Sequence, residues 1–99
     1  LHRDLQRLME RKVIDDVSYW MEHAIEGQWC DGALVGALMA KAAQILEPGS
    51  TAAPADVFAR HHVISRPEYW SKNAQPGGRC PGQTVAVLIA NLARRLNRP

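Results

Sequence analysis

The residues of this 99-residue chain best suited to covalent chemistry are its two cysteines, Cys30 and Cys80, which stand 50 positions apart. Each lies in a glycine-bounded stretch ahead of a helical pattern, GQWCDG in one case and GGRCPG in the other. Such a pair can close a disulfide or sit as two small buried apolar residues. A thiolate at a helix start beside Arg79 could also act as a nucleophile if a histidine came near. Cys30, between Trp29 and Asp31, occupies the equivalent place, and that doubling points to structure rather than to an active site. Four histidines (His2, His23, His61 and His62) raise the question of zinc, but neither C-x-x-C nor H-x-x-x-H occurs. No metal site and no cofactor is expected. There is no G-x-S-x-G, no H-E-x-x-H and no phosphate-binding loop, and QPGGRCPGQT lacks the lysine and spacing of one. No catalytic residue is assigned, and the chain is read as non-catalytic.

Binding chemistry has better candidates. The pairs Tyr19–Trp20 and Tyr69–Trp70 place two rings about 100° apart on a helix, so the Trp can fill a core while the Tyr lies at its margin. A marginal Tyr can stack on a sugar or a peptide. Trp29 stands in a loop and its counterpart 50 residues on is Arg79, which argues against a shared core role and for a binding surface. Packing between the two halves competes for Trp29. Trp29, Tyr19, Tyr69 and Arg79 are therefore the candidate ligand-binding residues. In the tail NLARRLNRP, Arg94, Arg95 and Arg98 suit the negative end of a helix, or form a phosphate- or polyanion-binding patch. No recognition-helix signature accompanies them, which argues against nucleic acid.

These residues are positioned by a sequence that says the same thing twice. Between Val13 and Leu46, thirteen of 34 positions are identical to those 50 residues on, with no gap. The expected organisation is a single domain over 1–99: repeat one at 1–46, a linker at 47–54 and repeat two at 55–99. The fold class expected is all-α, with two tandem three-helix repeats packed about a pseudo-two-fold axis, because one unit of this size is marginal alone.

The first helix of repeat one is LHRDLQRLMERK, with Leu1, Leu5 and Leu8 on one face; its counterpart PADVFARHH puts Phe58 where Leu8 stands. Ser65 and Asp15 are the expected caps of the second helices, with Pro67 in the first turn. Gly27 and Gly77 are expected to stop them. The third helices carry the clearest apolar stripes, Val35, Leu38, Met39, Ala42 and Leu46 against Val85, Leu88, Ile89, Leu92 and Leu96. Cys30 and Cys80, as equivalent residues, would meet near the axis.

Composition agrees with a folded domain: 46% hydrophobic and 22% charged residues. No apolar run approaches the roughly 20 residues needed to span a bilayer. Residues 1–50 carry five Lys/Arg against eight Asp/Glu, while residues 51–99 carry seven against two. Halves of opposite sign can attract each other or an outside partner. A chain that starts at Leu1 reads as a processed protein or a module of a longer one.

The pattern VI-x-x-x-x-YW, a glycine-flanked loop and a V-x-x-L-I-x-x-L-A helix resembles the short helical accessory modules of bacterial and phage cell-wall hydrolases. RPEYW, Arg66 to Trp70, is the closest segment, and DVSYW departs from it by losing the proline. The resemblance implies a non-catalytic module that targets cell-wall glycan or peptidoglycan within a longer bacterial or phage protein. A protein–protein interaction or assembly domain is the first alternative, and a fragment of an enzyme using Cys80 or Cys30 is the second. A secreted or cell-envelope setting suits the resemblance and a disulfide, with a cytoplasmic one as the alternative.

Overall fold

The two strongest apolar stripes become the two longest helices in the computed structural model, which describes residues 1–97. The chain runs α1 (His2–Glu10), α2 (Ser18–His23), β1 (Trp29–Asp31), α3 (Gly32–Leu46), α4 (Pro54–Arg60), α5 (Pro67–Asn73), β2 (Arg79–Pro81) and α6 (Gly82–Leu96). Val35, Leu38, Met39 and Ala42 of α3 and Val85, Leu88, Ile89, Leu92 and Leu96 of α6 are buried, as their spacing predicts. Leu5 and Leu8 of α1 and Phe58 of α4 are fully covered, while Leu1 stays exposed at the cap of α1. Trp20 and Trp70 join the core, each edge-on to its neighbouring tyrosine at 5.1 and 5.5 Å between ring centres. No polar or charged residue is buried among those described.

The structure is mostly helical but not all-α. β1 and β2 pair antiparallel, with Trp29 opposite Pro81, Cys30 opposite Cys80 and Asp31 opposite Arg79. The ladder continues at each end, through the Gly32 amide to the Gly78 carbonyl at 2.9 Å and the Gly82 amide to the Gln28 carbonyl at 2.7 Å. Three residues per strand are too few to write a period-two pattern, which is why no strand signal shows in the sequence.

Gly27 and Gly77 do adopt the left-handed conformation, at φ +86° and +88°, but they do not end the second helices. Those helices stop at His23 and Asn73, where the Ala24 and Ala74 amides bond back to the Trp20 and Trp70 carbonyls. The glycines lie further on and turn the chain into the strands. The caps differ too: Val17 and Arg66, not Asp15 and Ser65, stand at the starts of α2 and α5. The Ser18 amide donates to the Asp16 carboxylate, and Pro67 opens α5 as expected.

The first helices end in a way the sequence conceals. After α1, the Lys12 amide bonds the Met9 carbonyl and the Val13 amide the Leu8 carbonyl; after α4, His62 and Val63 repeat this on Ala59 and Phe58. This is a Schellman ending, which usually takes glycine at its left-handed position. Here Lys12 and His62 hold that position at φ +62° and +60°. Val13 and Val63 are buried just beyond.

Packing crosses between the halves. α1 lies along α6, and α4 lies along α3 and α5. The first helices therefore rest on the third helices of the opposite halves, an exchange that the expected packing of two three-helix units did not specify. Gly32 and Gly82 show how close the approach is. A Cβ on Gly32 would strike the carbonyls of Asn73 and Gln75, and one on Gly82 those of His23 and Ile25. Only glycine lets backbone meet backbone there. Ionic contact between the halves runs, among the described residues, from Glu47 to Arg60 at 2.6 Å, and His61 Nε2 lies 2.9 Å from the same carboxylate.

Candidate functional site

The ribbon gathers three of the four candidate binding residues. Trp29 is 47% exposed on β1, and the Arg79 guanidinium of β2 lies 4.1 Å from the centre of its ring. This cation–π contact holds the indole in place and leaves its remaining surface to solvent. Tyr19 stands behind them on α2. The Asp31 amide donates to its hydroxyl at 2.8 Å, and its ring stacks on His23 at 4.3 Å. His23 Nδ1 lies 3.2 Å from the Trp29 carbonyl. Tyr19 and His23 thus brace the strand that presents Trp29, and the Tyr19 hydroxyl is already engaged. Asp31 does double duty, because its carboxylate accepts the Ala33 amide at 3.0 Å and caps α3.

Tyr69 goes elsewhere. It lines an open groove of about 840 Å³ between α5, α6 and the turn after α4. Tyr69, Val87 and Leu88 give the groove apolar surface; Ser65, Gln83 and Thr84 give it hydroxyl and amide groups. Val87 is 57% exposed, the most open large apolar side chain among the described residues. The groove meets a second hollow of about 350 Å³ lined by Asn91, Arg94, Arg95, His61 and His62. His62 and Asn91 belong to both. Of these residues the sequence reading singled out Tyr69, Arg94, Arg95 and the two histidines. Gln83 and Thr84 left a signal, because they stand where the first half has Ala33 and Leu34. An apolar position turned polar on an exposed helix face marks surface that packing does not explain.

The basic tail is partly used by the fold. Arg95 Nε donates to the His61 carbonyl at 2.8 Å, Arg94 bonds the Asn91 side chain, and Arg11 reaches across to the Leu96 carbonyl. Arg95 and Arg11 answer the carbonyl ends of α4 and α6. Arg98 lies outside the described residues.

Cys30 and Cys80 face each other in the ladder as free thiols, both fully buried. Burial pushes each up to about 11, and for Cys30 the neighbouring Cys80 adds to the effect. At neutral pH such thiols are almost wholly protonated, the wrong state for a nucleophile. Burial also raises Tyr69 above its ordinary value. Glu47 moves the opposite way, to about 2, chiefly because Arg60 donates to its carboxylate. Among the described residues, no three His, Cys, Asp or Glu side chains converge as metal ligands would. Comparison with family models, curated proteins and solved structures gives no match.

Proposed function

We propose that the chain is a non-catalytic binding module of a longer bacterial or phage protein, built by tandem duplication, and that its ligand is cell-wall glycan. The observation that carries this reading is the open groove at Tyr69. An aromatic and aliphatic floor edged by Ser65, Gln83 and Thr84 suits a ligand with apolar C–H faces and many hydroxyls, which describes a sugar chain. Trp29, braced by Arg79, offers a second stacking surface. Tyr19 acts through the ribbon rather than by touching ligand.

The duplication reading draws support from strands and third helices whose bounds differ by 50, and from the reciprocal packing of Gly32 and Gly82. The pseudo-two-fold axis would pass between Cys30 and Cys80. Residues opposite each other in an antiparallel ladder have Cα atoms about 4.5–5.5 Å apart, inside the roughly 4.4–6.8 Å that a disulfide needs. In an oxidising envelope the two thiols would lose two protons and two electrons to an external disulfide, which leaves as two thiols. Intact mass after exposure to glutathione disulfide, with and without alkylation, tests this: a product still carrying both alkylated thiols after unfolding and refolding in the oxidant overturns it.

Retention of the whole protein on purified bacterial sacculi tests the ligand. The expected result is retention that Tyr69→Ala weakens strongly and Trp29→Ala less so. No retention at low salt overturns it. A protein-interaction role is the second reading, favoured by Met21, Ile25 and Trp29, which are 39%, 41% and 47% exposed along α2 and the turn into β1. A concentration-dependent dimer lost in Met21→Ser/Ile25→Ser, with no hold on sacculi, would select it.

A further inference from the structure

We infer that the ligand of the Tyr69 groove carries an anionic group, a carboxylate or a phosphate, seated on Arg94, Arg95 and His62. The inference rests on the groove being the binding surface. The groove borders, at His62 and Asn91, the hollow lined by Arg94 and Arg95. A ligand lying along Tyr69 and Thr84 therefore meets two guanidinium groups at one end.

Among the described residues, no carboxylate pairs with Arg94 or Arg95. Arg94 is exposed and its bond is to the neutral Asn91 amide, not to a carboxylate. Asn91 is itself oriented, because its amide nitrogen donates to the Val63 carbonyl at 3.2 Å. Arg95 spends its Nε on the His61 carbonyl, and among the described residues its terminal nitrogens bond no other group. Among the described residues, the acidic group that bonds a residue of this hollow is Glu47, on His61, and its carboxylate is shared with Arg60. Its negative charge is thereby matched within the protein. The carbonyl end of α6, which would repel an anion, has Arg11 on Leu96.

Such a seat recognises an acidic group by charge-assisted, paired N–H donation, the geometry at which arginine excels. Position then matters as much as charge: the neutral body of the ligand is read by the groove and the acid by its end. Carboxylate and phosphate share this chemistry, and the probes separate them.

Calorimetric titration of the whole chain with three probes decides the matter: a neutral N-acetylglucosamine oligomer, the same oligomer bearing one carboxylate, and one bearing one phosphate. An acidic oligomer is expected to bind about tenfold more tightly than the neutral one. That preference should vanish in Arg94→Ala and return only in part in Arg94→Lys, which restores the charge but not the paired donation, while Tyr69→Ala weakens all three probes together. Equal binding of all three probes overturns the inference and leaves the groove reading standing. Failure of every oligomer, with inorganic phosphate still shifting the Arg94 and His62 resonances, overturns the glycan reading and keeps the anion seat. No response to any probe or to phosphate overturns both. Arg94 is exposed, so its variants test charge and not folding.

Discussion

Tyr19 and Tyr69 stand at matching points of the two halves, yet their surroundings differ. The Tyr19 hydroxyl accepts the Asp31 amide at 2.8 Å, while the residue matching Asp31 is Pro81, which has no amide hydrogen to give. Asp31 also caps α3 with its carboxylate, and α6 begins without a side-chain cap. One corner is tied down and holds Trp29 outward; the other leaves its tyrosine to line a groove. Beneath both, matched residues do matched work: Trp20 and Trp70, Val35 and Val85, Gly32 and Gly82 all lie in the core or in close backbone contact. Packing positions stay apolar between the halves, some with the same residue and some, like Leu8 and Phe58 or Met39 and Ile89, with another; the two tyrosine corners take on separate tasks.

The most severe way to break this comparison is at the shared contact. Gly32→Ala and Gly82→Ala each drive a methyl group into the backbone of the opposite half, and each should cost about 3 kcal/mol, the upper end of overpacking. Urea unfolding checks both, and a marked difference between them would show that the two crossings are not equivalent. Next come the tyrosines. Tyr19→Phe leaves the Asp31 amide without its partner and should cost about 1 kcal/mol, whereas Tyr69→Phe should change stability by less than about 0.5 kcal/mol. If the two variants unfold at the same urea concentration, the tied-versus-open distinction fails.

The left-handed helix ends should behave alike. Lys12→Gly and His62→Gly relieve the backbone at φ +62° and +60°, and each should gain about 0.5 kcal/mol once the greater freedom of glycine in the unfolded chain is counted. Parallel thermal melts measure this. The smallest effect belongs to the link between halves at Glu47. Its folded value is depressed from 4.5 to about 2, so the ion pair's contribution is fully present above pH 4.5 and is lost as pH falls towards 2. Glu47→Gln should flatten that part of the stability profile, and an unchanged acid limb would remove the link.

Much of the core was legible because helical burial is a local, periodic matter. Leu38, Met39, Leu88 and Leu92 announce their face by spacing alone, and the Tyr-Trp pairs announce which ring goes inside. The candidate site was legible in part. Trp29 and Arg79 were singled out from their failure to match, and the structure stacks them; Tyr69 was singled out, but not the groove that it lines. Gln83, Thr84 and Asn91 come from a helix that spacing describes well, and nothing in that spacing says which turn lies beside it.

The chain by itself determined its helices, its inward faces and the doubling of its pattern, since each depends on residues a few positions apart or on direct identity. Only the tertiary structure decided that α1 rests on α6 and α4 on α3, because an apolar stripe specifies that it must be covered and not by what. It also decided that two three-residue strands pair, set Cys30 against Cys80, and part Tyr69 from Tyr19. Those contacts join residues about 50 positions apart, where a short backbone ladder and the approach of Gly32 and Gly82, rather than any local preference, fix the geometry.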